Sequence, residues 1–420
     1  MTKRIQTPLV SLSNRGLLIA LAIYTFTSGV VFSQEESPLA IKAGSEKVVH
    51  YTPKNKLTAE MVEAIKAQAT SGATIPLWNY SVVDPVSQNT FAGMIVGRSP
   101  YANGHRATTI TTIIIPVIFT FADTGEVFDP TSPDPCAPNK DSIVNLINGS
   151  PLISSFDFVE NGVSVGKTQY LDAFERGNFW GLIGGTPYHS LLNSNPLVIP
   201  YKVTVPKTTK STPTGMTVKY AAGCRDYGLV DANWLQTVVQ NTIFPALAAQ
   251  GVGPTSFPQI LTDSVFESLS PEDPTNIALG YHTAYTNGDG VLQTWAVNGF
   301  DTSGRFSGSP DLDTMSHEVA EWLDDPITSN ATPAWGGAGQ VDVGKCQSNL
   351  EVGDPTSEGG PTPSNQFLIK MPNGFTYTLQ ELTYFSWFFH QSPSLGSGGK
   401  YSNNGAFNGF AKPCPPGGTN

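Results

Sequence analysis

Charge is what this chain has least of. Only 14% of its 420 residues are Asp, Glu, Lys or Arg, against about a quarter in an ordinary soluble domain. The basic side is the poorer, with 23 Lys and Arg against 34 Asp and Glu and a formal charge of −11. No basic run occurs, and this argues against nucleic acid as a partner, because phosphate binding needs clustered Lys and Arg. A dinucleotide fingerprint, a phosphate loop and a G-x-S-x-G elbow are all missing. None of the four cysteines is spaced as a C-x-x-C pair, which argues against a thiolate-bound metal. After the N-terminal segment no apolar run is long enough to span a bilayer. Thr111 to Phe121 is far too short and rich in β-branched residues, so it reads as a buried strand. No internal repeat is found.

What the chain does have is 41 Gly and 33 Pro, so it should be rich in turns. At 39% hydrophobic and 10% aromatic it has enough for a sizeable core. Lys3, Arg4 and Arg15 precede an apolar run from Gly16 to Phe32, and Val31-Phe32-Ser33 resembles a small-x-small cleavage site. Residues 1–33 therefore read as a signal peptide cut near Ser33. The mature protein is then secreted, extracellular or periplasmic, with no membrane segment and with 20 basic against 34 acidic residues. An even number of cysteines after a signal peptide implies two disulfides with three pairings. Cys136–Cys224 and Cys346–Cys414 is the favoured one.

Residues 34–107 are expected to be an N-terminal arm or a pro-region, and 108–415 the main domain. A helix is expected over Thr58 to Ala69, with Met61, Ile65 and Ala69 on one face, and a central strand over Thr108 to Phe121. Asn233 to Ala249 should form a long helix broken or kinked at Pro245 and ended at Gly251. Strands are expected at Gln259–Phe266, Ile277–Tyr285 and Leu292–Asn298, the last two joined by an Asn287–Gly290 turn. A helix at 313–324, capped by Asp313 and stopped by Pro326, comes next. Gln366–Met371 and Phe375–Phe389 should pair across Pro372-Asn373-Gly374, with the stripe Tyr384, Phe385, Trp387, Phe388 and Phe389 as a strand packed on the core. The order predicts an α+β fold with a mixed or antiparallel sheet.

The chemistry concentrates at His317-Glu318-Val319-Ala320-Glu321. On a helix, His317 and Glu321 lie one turn apart on one face, so both reach one ion. This is the layout of the H-E-x-x-H zinc helix with the second His replaced by Glu. In that layout the first and last residues bind one zinc ion and Glu318 takes a proton from bound water. A third ligand must come from elsewhere. Glu351 and Asp354 follow His317 by 34 and 37 residues. Glu351 is the expected ligand and Asp354 an outer-shell residue or alternative ligand. His282, on a preceding strand, is expected to line the cleft, hold an oxyanion or add a fourth ligand. The competing reading makes Glu318, Glu321, Asp324 and Asp325 the solvated face of an amphipathic helix. His189 and His390 read as hydrogen-bonded core residues, and His50 and His105 as exposed.

At Ser316-His317-Glu318-Val319-Ala320-Glu321-Trp322-Leu323-Asp324-Asp325-Pro326 and Glu351-Val352-Gly353-Asp354 the chain resembles the plant exordium-like (phosphate-induced) proteins. It resembles still more closely certain secreted bacterial proteins that share the runs around Pro333-Ala334-Trp335-Gly336, Cys346 and Tyr377-Thr378-Leu379-Gln380. The resemblance covers residues 255–410. It implies that His317, Glu318, Glu321, Glu351 and Asp354 form one zincin-like constellation, and it supplies no activity. The expected function is a secreted zinc-dependent hydrolase, peptidase-like, acting on peptide, protein or cell-wall material. The alternative is a non-catalytic extracellular or cell-wall-associated protein with a structural metal. Asn79-Tyr80-Ser81, Asn148-Gly149-Ser150 and Asn330-Ala331-Thr332 are glycan acceptors in a eukaryotic secretory pathway.

Overall fold

The computed structural model describes residues 57–101, 107–160, 163–209, 211–269, 275–337, 341, 346–357, 366–405, 407, 409 and 411–414, with the backbone of 47–48. All of them belong to one compact unit, Pro38–Asn420. Residues 1–33, expected to be a signal peptide, and His50 and His105 lie outside the described residues.

A mixed sheet organises the fold. Its long strands are β1 (Thr108–Phe121), β2 (Tyr201–Val205), β3 (Ser256–Asp263), β4 (Gly280–Thr286) and β5 (Leu292–Phe300). Their order is β2-β1-β3-β5-β4. All neighbours run parallel except β4, which returns antiparallel to β5 after the Asn287–Gly290 turn. The strands are apolar on both faces, as expected of a sheet covered on each side. Ile113, Ile115, Val117, Ile260, Trp295 and Val297 pack on Leu235, Val239, Ile243 and Leu247 of one helical layer. Ile110, Ile114, Phe257, Leu261 and Phe300 face the other way, onto Met315, Val319, Trp322 and Leu323.

The second layer is centred on α1, Asp313–Asp324, whose twelve residues are all buried. Trp322 stacks on Phe257 of β3 with centroids 3.6 Å apart, and its indole N–H donates to Thr294 Oγ1 of β5 at 3.0 Å. The hairpin Leu77–Val83/Thr90–Val96 joins the same core through Trp78, Tyr80, Ile95 and Val96. Asn330 fastens it there: its amide donates to Met94 O at 2.7 Å and its carbonyl accepts from Met94 N at 3.0 Å.

The fold is α+β with mixed and antiparallel sheets, and the disulfides are Cys136–Cys224 and Cys346–Cys414. Two disulfides fit an oxidising compartment. Among the described residues no helix is long and apolar enough to cross a membrane.

Several local expectations are corrected. The helix after residue 232 is not uniform: Ala232–Val238 passes into a π turn at Val239–Ile243, then Phe244–Leu247 and a 3₁₀ end. Pro245 has no N–H to donate back, so the ladder widens just before it. Gln259–Phe266 breaks at Ser264, which has φ +50° and whose Oγ accepts from the N–H groups of Thr302 and Ser303. Ile277–Tyr285 likewise splits into Asn276–Ala278 and β4, which belong to different sheets. Asp313 is the first residue of α1, not its cap. Met61 is exposed, and Ile65 alone of its expected face is buried. The aromatic stripe is a short helix, Phe385–Phe388, rather than a strand. Helical spacing lets Phe385 and Phe389 lie 4.2 Å apart, an aromatic contact that a strand would stretch to roughly 13 Å along one face.

Candidate metal centre

The reading of α1 as a solvated acidic face does not hold. Glu318, Glu321, Asp324 and Asp325 are 6%, 2%, 0% and 0% exposed. Burying a carboxylate without a counter-charge is costly, so each must be accounted for.

The helix spacing works as expected: His317 Nε2 lies 3.0 Å from Glu321 Oε1, one turn on. The third group at this point is Asp354, whose Oδ1 is 3.5 Å from the same Nε2. One ligand atom from each of His317, Glu321 and Asp354 falls within 4.8 Å of the others. Glu351 is brought instead to His282, with Oε2 4.0 Å from Nε2. The local backbone explains the exchange. Asp354 opens a helical turn, Asp354–Ser357, while Glu351 sits before it and its Oε1 accepts from the Asn349 side-chain amide at 2.7 Å. Gly353 between them presses on His317. A Cβ at Gly353 would sit 2.5 Å from the imidazole Nδ1, so only glycine permits this approach. Its N–H also donates to Glu321 Oε1 at 3.1 Å.

His282 rises from β4, the antiparallel edge strand, opposite Ala296 of β5. Its Nδ1 is 3.4 Å from Glu318 Oε2 and 3.6 Å from Glu321 Oε2. These three side chains form a second group within the same 4.8 Å limit. Gly280, two residues earlier, lets the helix lie close: a Cβ there would meet Thr314 Cγ2 at 2.9 Å and Glu318 Cγ at 3.1 Å.

No known protein family, curated protein or solved structure matches this chain.

The centre is strongly polarised. Burial pushes the Glu321 carboxyl well above the usual range, and the charges of Asp354 and Glu318 add to the push. Glu351 is raised in the same way, by burial and then by Glu321. For His282, burial favours the neutral ring, but Glu318 and Glu351 outweigh it and the net shift is upward. His317 follows the same pattern, with Glu318 and Asp354 outweighing burial. Glu321, Glu351 and both imidazoles are thus all shifted towards their protonated forms. That is the behaviour of a site whose anionic groups outnumber its internal cations.

Two positioning residues were not singled out from sequence. Gln380 accepts through Oε1 from His317 Nδ1 at 2.7 Å, and its amide N–H groups donate to Gly353 O and Thr356 Oγ1. Because Oε1 is an acceptor, His317 must carry a proton on Nδ1, and Nε2 is the nitrogen turned towards Glu321 and Asp354. Its signal lay in the Tyr377-Thr378-Leu379-Gln380 run. Asn349, which holds Glu351, left no signal beyond its place just upstream. Outside the cluster, His189 bonds Asp172 at 2.7 Å and His390 bonds Asp84 at 2.9 Å.

Proposed function

We propose that this chain is a secreted, zinc-dependent hydrolase of zincin-like type, in which His317, Glu321 and Asp354 hold the ion. The observation that supports it best is the convergence of one nitrogen and two carboxylate oxygens within 4.8 Å, with the imidazole tautomer set from behind by Gln380. This donor set suits zinc, which takes three protein ligands in catalytic sites. Asp354 takes the place expected of Glu351. The ion would supply Lewis acidity, polarising a substrate carbonyl and making water more acidic.

The chain's own residues do the rest. Glu318 is the carboxylate placed to accept a proton from water, and with His317 it is the most exposed member of the cluster, at 6% and 8%. Approach is therefore from their side. His282, at 1% exposure, is too enclosed to meet a substrate and acts by positioning Glu318. A peptide, protein or cell-wall carbonyl is the substrate class. The exordium-like and zincin-like grouping, the export signal at 1–33 and the extracellular location belong to the same reading.

One observation favours the non-catalytic alternative with a structural metal: none of the six side chains is exposed beyond 10% where its ion pairs are formed. Elemental mass spectrometry on protein purified without chelator, paired with a peptide and cell-wall hydrolysis screen, separates the readings. Zinc in the wild type, lost in His317→Ala but kept in Glu318→Gln with hydrolysis abolished, supports the enzyme. Zinc kept with no hydrolysis by the wild type moves the protein to the structural reading. A wild type that refuses added zinc sinks both.

A further inference from the structure

Glu321 faces two imidazoles with two different oxygens. Oε1 lies 3.0 Å from His317 Nε2, and Oε2 lies 3.6 Å from His282 Nδ1. Glu318 Oε2 approaches the same Nδ1 at 3.4 Å. On the far side of the ring, His282 Nε2 looks across 4.0 Å at Glu351 Oε2. Neither of those two atoms has a hydrogen-bond partner among the described residues, and their residues are 1% and 0% exposed. A buried imidazole nitrogen and a buried carboxylate oxygen left facing each other need a reason. One nitrogen of His282 aimed at paired carboxylates, with a third carboxylate behind the other nitrogen, is the arrangement of a metal-ligating histidine backed by an acid.

We propose that the pocket takes two divalent cations, the second held by His282, Glu318 and Glu321, with Glu321 bridging the two positions and Glu351 receiving the Nε2–H of His282. The proposal rests on the metal reading of His317, Glu321 and Asp354 given above. Charge supports the count. Four buried carboxylates, Glu318, Glu321, Glu351 and Asp354, meet two imidazoles here. One divalent ion balances two of those carboxylates, and a second balances the rest. Nitrogen and oxygen donors suit zinc, cobalt or manganese, and a bridging carboxylate holds paired ions about 3.5–4 Å apart. Filling the second position engages Glu318. The one-ion protein then has a free base and the two-ion protein does not, so zinc in excess switches the proposed hydrolase off.

The test is ion stoichiometry on the full chain, stripped with chelator and reloaded. Wild type should take two zinc ions. His282→Ala should take one, and Glu318→Gln should bind the second at least tenfold more weakly. Loaded with Mn²⁺, wild type should give the broadened electron paramagnetic resonance spectrum of a coupled pair, and His282→Ala the six lines of an isolated ion. Should His282→Ala misfold by circular dichroism, Glu318→Gln carries the comparison, being nearly isosteric. One zinc in wild type, kept in His282→Ala and lost in His317→Ala, overturns the second position and leaves the proposed function standing. No zinc in wild type overturns both.

Discussion

Two buried acidic clusters sit in this fold, and they solve the same problem differently. Near the Cys136–Cys224 bridge, Asp134 and Asp263 converge on Arg225, whose Nη1 lies 3.0 and 3.1 Å from their carboxylates. Thr302 Oγ1 contacts the same two carboxylates at 2.7 and 2.8 Å, and Ser264 is bonded to it. Near the Cys346–Cys414 bridge, Glu318, Glu321 and Glu351 have no Lys or Arg partner among the described residues, only His282 and His317. The first cluster carries its own permanent cation and is closed. The second relies on imidazoles, whose charge is not permanent, and it is the cluster for which we propose an ion from outside. A buried acid beside a guanidinium is architecture, whereas a buried acid with only imidazoles beside it is a candidate for chemistry.

Each cluster has its own disulfide, and this gives the largest effects. The bridges close separations of 88 and 68 residues, so replacing either pair by serine should cost about 4 kcal/mol by loop entropy. The two losses should be similar in urea denaturation but differ in zinc titration. Cys346 lies five residues before Glu351 and anchors the segment that delivers Glu351 and Asp354, so only its loss should also weaken metal binding. Equal effects on zinc would show that the 346–357 segment is held by its other contacts.

Next comes conversion of the closed cluster into an open one. Arg225→Met leaves Asp134 and Asp263 buried without their cation and should destabilise by about 3 kcal/mol. The pH dependence has a definite sign. Burial raises the Asp263 carboxyl to about 7 despite Arg225. The folded state thus holds a proton that the unfolded chain, titrating near 4, has lost. Stability from this group is full below about pH 4 and falls as pH rises towards 7. Urea midpoints between pH 4 and 8 should fall more steeply in Arg225→Met than in wild type. A parallel pair of curves would mean that Arg225 does not govern Asp263.

The smallest effect sharpens the other cluster. Gln380→Leu leaves every proposed ligand in place but removes the group that fixes the His317 tautomer, and zinc affinity should drop about 10- to 100-fold. Unchanged affinity would mean that the segment around Gly353 holds the ring unaided.

The sequence shows how much of this was legible. Helix 313–324 has a regular pattern, a proline stop and good helix formers, and it forms with those bounds. β1 was readable because a long β-branched run has no other stable use in water. What failed was whatever depends on distant neighbours. The acidic residues of α1 resemble a solvated face, because nothing local reveals that Gly280, Gly353 and the strand Thr376–Gln380 close over them. The aromatic stripe has strand composition, but Phe385 N is claimed by Asn178 Oδ1, two hundred residues earlier. Glu351 and Asp354 are equivalent as carboxylates, and only the helical turn beginning at Asp354 decides which one meets His317.

Asn330 carries a consequence for producing this protein. Its side chain is 2% exposed and clasps the Met94 backbone from both sides, yet Asn330-Ala331-Thr332 is a glycosylation acceptor. Sugar transfer acts on the nascent chain, before the hairpin has docked, and an oligosaccharide on Nδ2 would occupy the space that Met94 needs. A yeast or animal secretory host would thus compete with folding at this asparagine. A bacterial host that oxidises thiols outside the cytoplasm offers the disulfides without that competition.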